Sequence, residues 1–109
     1  MNQADLPAVD EANFAAEVAA KSSLVVLDFW AAGCAPCKQL GRLLAELAPS
    51  LPPSVHIATV NVEDNPGLVH RFNVNAVPTL VFLKNGVVVE TRTGIDRRQV
   101  IKKIVETHA

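Results

Sequence analysis

Cys34 and Cys37 are the only thiols in this 109-residue chain, and they stand three apart in Cys34-Ala35-Pro36-Cys37. Two thiols so close can trade electrons with a disulfide: one attacks it, the other resolves the mixed disulfide, and the protein leaves internally bridged. The pair follows the apolar run Leu24-Val-Val-Leu-Asp-Phe-Trp30 and opens a segment patterned as a helix. With Cys34 as helix N-cap, Cys37 falls at the third helical position, where a free N–H can point at the Cys34 sulfur. The partial positive charge of the helix start favours thiolate over thiol, which makes Cys34 the nucleophile and leaves Cys37, one turn inward, to resolve. Pro36 limits backbone freedom between them at a position where its missing N–H costs nothing.

Three blander readings compete. Inert buried thiols would sit oddly at a strand-to-helix corner. A zinc site needs further ligands, and His56, His70 and His108 show no paired spacing. A purely structural bridge across so short a loop would restrict little of the unfolded chain. Redox use is the reading adopted, with no metal and no cofactor beyond the Cys34–Cys37 disulfide itself.

The elements around the pair alternate between helical and strand periodicity. Asp10 to Ala20 reads as a helix capped by Asp10, with Phe14 and Val18 on one face. Leu24 to Trp30 lacks clean alternation and reads as a central strand buried on both faces. Cys34 to about Ala48 forms a helix with an inward stripe of Leu40, Leu43, Leu44 and Leu47, stopped by Pro49, Pro52 and Pro53. Val55 to Val62 is a strand, and Asn65-Pro66 opens a short helix through Phe72. Thr79–Lys84, the dipeptide Asn85-Gly86 and Val87–Thr91 form a hairpin. Asp96 is expected to cap a last helix facing inward through Val100, Ile101, Ile104 and Val105. Leu6 and Val9 hint at a further strand, which Pro7 confines to an edge. Strands joined through helices run parallel and the hairpin adds antiparallel ones. The expected fold is α/β, a mixed sheet with helices on both faces, in a single domain over residues 1–109.

Composition excludes several function classes. Half the residues are hydrophobic and the net charge is −1, with no basic run to follow nucleic acid or a membrane surface. The stretch from Leu24 to Ala32 is broken by Asp28 and falls far short of the ~20 residues of a membrane span. The N-terminus lacks the charge and apolar region of a secretory signal, and the Met1 start counts against a removed leader. A soluble, monomeric, cytoplasmic protein is expected.

Trp30-Ala-Ala-Gly-Cys-Ala-Pro-Cys-Lys38, preceded by Val-Leu-Asp-Phe, resembles the active-site segment of thioredoxins. Asn65-Pro-Gly67, Ala76-Val-Pro-Thr79, Phe82-Leu-Lys-Asn-Gly86 and Thr93-Gly94 extend the resemblance over nearly the whole chain. It implies the thioredoxin fold, reduction of disulfides in protein substrates, and recharging by an NADPH-dependent thioredoxin reductase. It implies that Asp28 is a buried proton acceptor behind Cys37, its pKa raised by desolvation. It also implies that the Val77–Pro78 bond is cis and faces the cysteines, leaving the Val77 backbone free for an extended substrate. Gly33, Ala35 and Pro36 belong to the same contact surface, with Gly94 and Ile95 as an apolar rim. Trp30 is expected to support the site sterically, although plain core packing explains it almost as well.

Four positions depart from the family pattern. Gly33 stands where tryptophan is usual, Ala35 replaces a glycine, and Arg42 replaces a helix-kinking proline. Thr59 occupies the place of a lysine that often approaches the buried aspartate. Losing that cation should raise the Asp28 pKa further and slow the resolving step. Two rival functions remain at this stage. One is an oxidase or isomerase, separable by reduction potential. The other is a non-catalytic module docking partners through Val77 and Ile95, separable by insensitivity to Cys34→Ser.

Overall fold

The computed structural model describes residues 6–109. Four strands form one mixed sheet in the order β2-β1-β3-β4: β1 is Leu24–Trp30, β2 His56–Asn61, β3 Thr79–Lys84 and β4 Val87–Thr93. β1 runs parallel to β2 and antiparallel to β3, and β4 closes an antiparallel hairpin with β3. Three α-helices flank the sheet: α1 is Ala35–Leu47, α2 Pro66–Arg71 and α3 Arg98–His108.

β1 alternates although its sequence does not. Val25, Leu27 and Phe29 join Phe14, Val18 and Leu68 in one buried layer. Leu24 and Val26 join Leu40, Leu44 and Leu47 of α1, and Ile101 and Val105 of α3, in the other. A strand covered on both faces has no polar side to reveal its period, so its apolar run is continuous.

The hairpin forms as its sequence requires. Asn85 and Gly86 both take positive φ, 54° and 73°, the pairing that lets a two-residue turn follow the strand twist. The edge segment before Asp10 reduces to one parallel bridge, Ala8 to Thr59. In it the Thr59 N–H donates to the Pro7 carbonyl at 2.8 Å and the Val9 N–H to the Thr59 carbonyl at 2.7 Å.

Two helix expectations need correction. The first segment is capped by Asp10, whose carboxylate accepts the Asn13 N–H at 2.8 Å while the Asn13 side-chain oxygen accepts the Asp10 N–H at 2.9 Å. It then widens into a π-helical turn, Ala15–Ala19, with the Ala20 N–H reaching the Ala15 carbonyl. Phe14 and Val18 still point inward, since residues four apart share a side in either geometry. The second correction concerns Asp96, which does not cap α3. The N-cap is Arg97, with no side-chain bond, and Asp96 turns back to Arg92. Two charge-assisted bonds to a guanidinium outweigh one to an amide. Val100 is exposed rather than inward, which narrows the buried stripe of α3 to Ile101 and Val105.

Candidate active site

Cys34 caps α1 in extended conformation (φ −93°, ψ 103°), and its sulfur accepts the Cys37 N–H at 3.2 Å. The two cysteines are joined as a disulfide, with Cα atoms 5.2 Å apart. Cys34 is half-buried and flanked by exposed Gly33, Ala35 and Pro36, whereas Cys37 is fully buried at the first turn. One sulfur is reachable and the other lies beneath it.

Asp28 lies in β1, the strand that leads to this corner. Strand parity with Leu24 and Val26 puts it on the sheet face that α1 covers. It is fully buried, and neither carboxylate oxygen has a hydrogen-bond partner among the described residues. Desolvation alone pushes its pKa up from 3.8 to about 7. The register partner of Asp28 on β2 is Thr59, whose hydroxyl is spent on the Pro7 carbonyl at 3.4 Å.

The Val77–Pro78 bond is cis, as the resemblance implies. Pro78 is buried and its carbonyl accepts the Gly94 N–H at 2.9 Å, which ties the Val77–Pro78 loop to the Gly94–Ile95 loop. Beside Val77 lies an open apolar groove of about 310 Å³, lined by Val62, Val69, Val74, Asn75 and Ala76 as well. Ile95 is 45 % exposed but faces a different groove, along α1. Trp30, at the end of β1, pairs with Asn61 and lines a cavity of about 390 Å³ whose walls include neither cysteine. Its indole nitrogen is buried without a hydrogen-bond partner among the described residues.

Two contributors escaped the sequence reading. Thr79, buried, donates its hydroxyl to the Ala76 carbonyl at 2.7 Å and so fixes the loop that carries Val77 and Pro78. Arg92 grips both oxygens of Asp96, at 2.9 and 3.1 Å, and closes the Gly94–Ile95 loop from behind. Opposite charges four apart were the available signal for the second. A threonine after proline signals nothing by itself. No cluster of potential metal ligands occurs among the described residues, and no helix there is long and apolar enough to cross a membrane.

A protein-family model described as Thioredoxin matches residues 5–107. The chain is 36 % identical to a Thioredoxin of Haemophilus influenzae, over 92 % of this chain and 94 % of that protein. It is 34 % identical to Thioredoxin 2 of Chlorobaculum tepidum, over 88 % of each chain. With a Thioredoxin of Bacillus subtilis it shares 33 % identity, over 88 % of this chain and 90 % of the other.

Proposed function

This chain belongs to the thioredoxin family and is a thiol–disulfide oxidoreductase, and from that premise we propose how its residues divide the work. The Cys34 thiolate attacks a substrate disulfide, forming a mixed disulfide and expelling one substrate thiolate. Cys37 loses its proton and attacks the Cys34 sulfur, closing the internal disulfide and releasing the second thiolate. Two electrons pass from the dithiol to the substrate, and two protons leave the cysteines.

The observation that carries this reading is the N–H of Cys37 donated to the Cys34 sulfur at the start of α1. The same bond would hold a thiolate, and the helix start favours that charge. Asp28 takes the Cys37 proton. A carboxyl poised near pH 7 can accept it in the working range, whereas an ordinary carboxylate is too weak a base.

Substrate lies extended against the Val77 backbone, with one apolar side chain in the groove beside Val62 and Val74. Gly33, Ala35, Pro36, Pro78 and Gly94 form the surface around the reachable sulfur, Ile95 its far rim, and Trp30 packs behind it. The proposal takes residues 1–109 as one monomeric exchange unit, reduced by a thioredoxin reductase in the cytoplasm. It involves neither nucleic acid, membrane nor bound cofactor.

The test is reduction of insulin disulfides driven by dithiothreitol and followed by turbidity. Fast precipitation that Cys34→Ser cannot support is expected. A rate no faster than dithiothreitol alone would overturn general reductase activity.

A further inference from the structure

We propose that the groove between α1 and Ile95 is a second substrate subsite, in which Arg42 selects an acidic residue about three positions from the cysteine under attack. This inference rests on the exchange reading above and names a preference of the same site.

The groove encloses about 310 Å³ and is lined by Gln39, Arg42, Leu43, Glu46 and Ile95. Ala35, Gln39, Arg42 and Glu46 are all exposed, and at spacings of four, three and four they form one stripe along α1. That stripe begins beside Cys34, so a chain whose cysteine meets Cys34 can continue along it. Half-buried Leu43 and exposed Ile95 supply apolar surface.

Its charge is one-sided. Glu46, the groove's one acid, accepts a hydrogen bond from Arg98 at 3.1 Å and is neutralised by it. Arg42 has no ion-pair partner among the described residues, and neither has Lys38, one turn nearer the cysteines. An exposed, unpaired guanidinium over an apolar floor suits a carboxylate, which it can bind through two parallel bonds.

Reach fixes the position. From Ala35 to Arg42 the helix rises roughly 10 Å at ~1.5 Å per residue, which an extended chain covers in about three residues at ~3.3 Å each. The far wall is held in place as well. The Gly94 N–H bond to Pro78 and the Arg92–Asp96 pair bracket Ile95 and tie this groove to the Val77 loop.

The test uses pairs of short peptides joined by one disulfide and carrying a fluorophore and a quencher. Glu or Gln stands three residues from the cysteine, before it in one set and after it in another. The wild-type protein, reduced beforehand and used in excess so that its own dithiol supplies the two electrons, should reduce the Glu peptide of one set with a second-order rate constant roughly two- to fivefold above its Gln counterpart at low salt, the range of an exposed ion pair. The ratio should fall to one in Arg42→Gln, invert in Arg42→Glu, and shrink with added salt. It should persist in Lys103→Gln, which removes the same charge from α3 outside the groove. A wild-type ratio of one in both sets, with the Gln peptides still reduced, overturns the subsite and leaves the exchange reading standing. An equal loss in Lys103→Gln overturns it too, by assigning the preference to the general field. Failure to reduce any peptide overturns the exchange reading, and the subsite with it.

Discussion

Asp28 and Thr59 are register partners across β1 and β2, yet the Thr59 hydroxyl is turned to the Pro7 carbonyl and gives the carboxylate nothing. The burial of Asp28 is therefore unrelieved, which is why desolvation alone sets its pKa near 7.

Between pH 3.8 and about 7 the folded chain holds a proton on Asp28 that the unfolded chain has released. Stability must then fall as pH rises through that window, by up to roughly 4 kcal/mol. Asp28→Asn should remove this dependence. Urea unfolding of the oxidised protein at pH 5 and pH 8.5 checks it: the variant should gain more on wild type at pH 8.5 than at pH 5, where less than half of the loss has developed. An equal gap at both values would count against an ionisable Asp28.

The same variant should slow resolution. If Asp28 takes the Cys37 proton, Asp28→Asn should lengthen the life of the mixed disulfide on the order of a hundredfold near pH 7. The defect should narrow as pH rises and Cys37 ionises unaided. Rapid acid quench and mass analysis would follow it, and a pH-independent defect would point to packing instead.

Cys37→Ser should accumulate a covalent adduct with a disulfide substrate, because attack proceeds and resolution cannot. Cys34→Ser should accumulate none, since the remaining sulfur is buried. Intact mass after incubation with oxidised insulin distinguishes the two, and adducts on Cys37 would reverse the assignment.

Gly33 takes φ +77° with nothing within 4 Å of where a Cβ would stand, so its constraint is conformational rather than steric. Gly33→Ala should cost about 1 kcal/mol in unfolding free energy. An unchanged denaturation midpoint would show that the turn relaxes.

The Arg92–Asp96 pair sits outside the reacting atoms and acts through the loop it closes. Asp96→Asn should raise KM for a peptide disulfide more than it lowers kcat. Hydrogen bonding to Arg92 lowers the Asp96 pKa, so the clamp is complete above the ordinary carboxylate range and is lost as pH falls through the lowered value. A change confined to kcat would assign Asp96 another role.

Much of this was legible in the sequence, for identifiable reasons. The Cys34–Cys37 corner could be read because N-cap chemistry is local, involving four residues and one amide. The hairpin could be read because Asn85-Gly86 specifies its own turn. Burial of β1 on both faces followed from its apolar run, and that of Asp28 within it from the resemblance. Where reading failed, a distant or competing partner decided the outcome. Asp96 had two candidate uses, and sequence alone could not show that Arg92 reaches it from the preceding strand. Thr79 gains its role only because the chain turns at Ala76, and the groove beside Ile95 needs α1 and a loop far from it in the chain.

β1 is bonded along its length to β2 on one side and β3 on the other. Freeing it means tearing two ladders, so it should be among the last segments to surrender its amide protons to heavy water. The reactive corner hangs from the end of that strand. While a partner is covalently held at Cys34, any pull it exerts is delivered to the best-anchored part of the chain. Unravelling from the point of attachment would have to break both ladders at once.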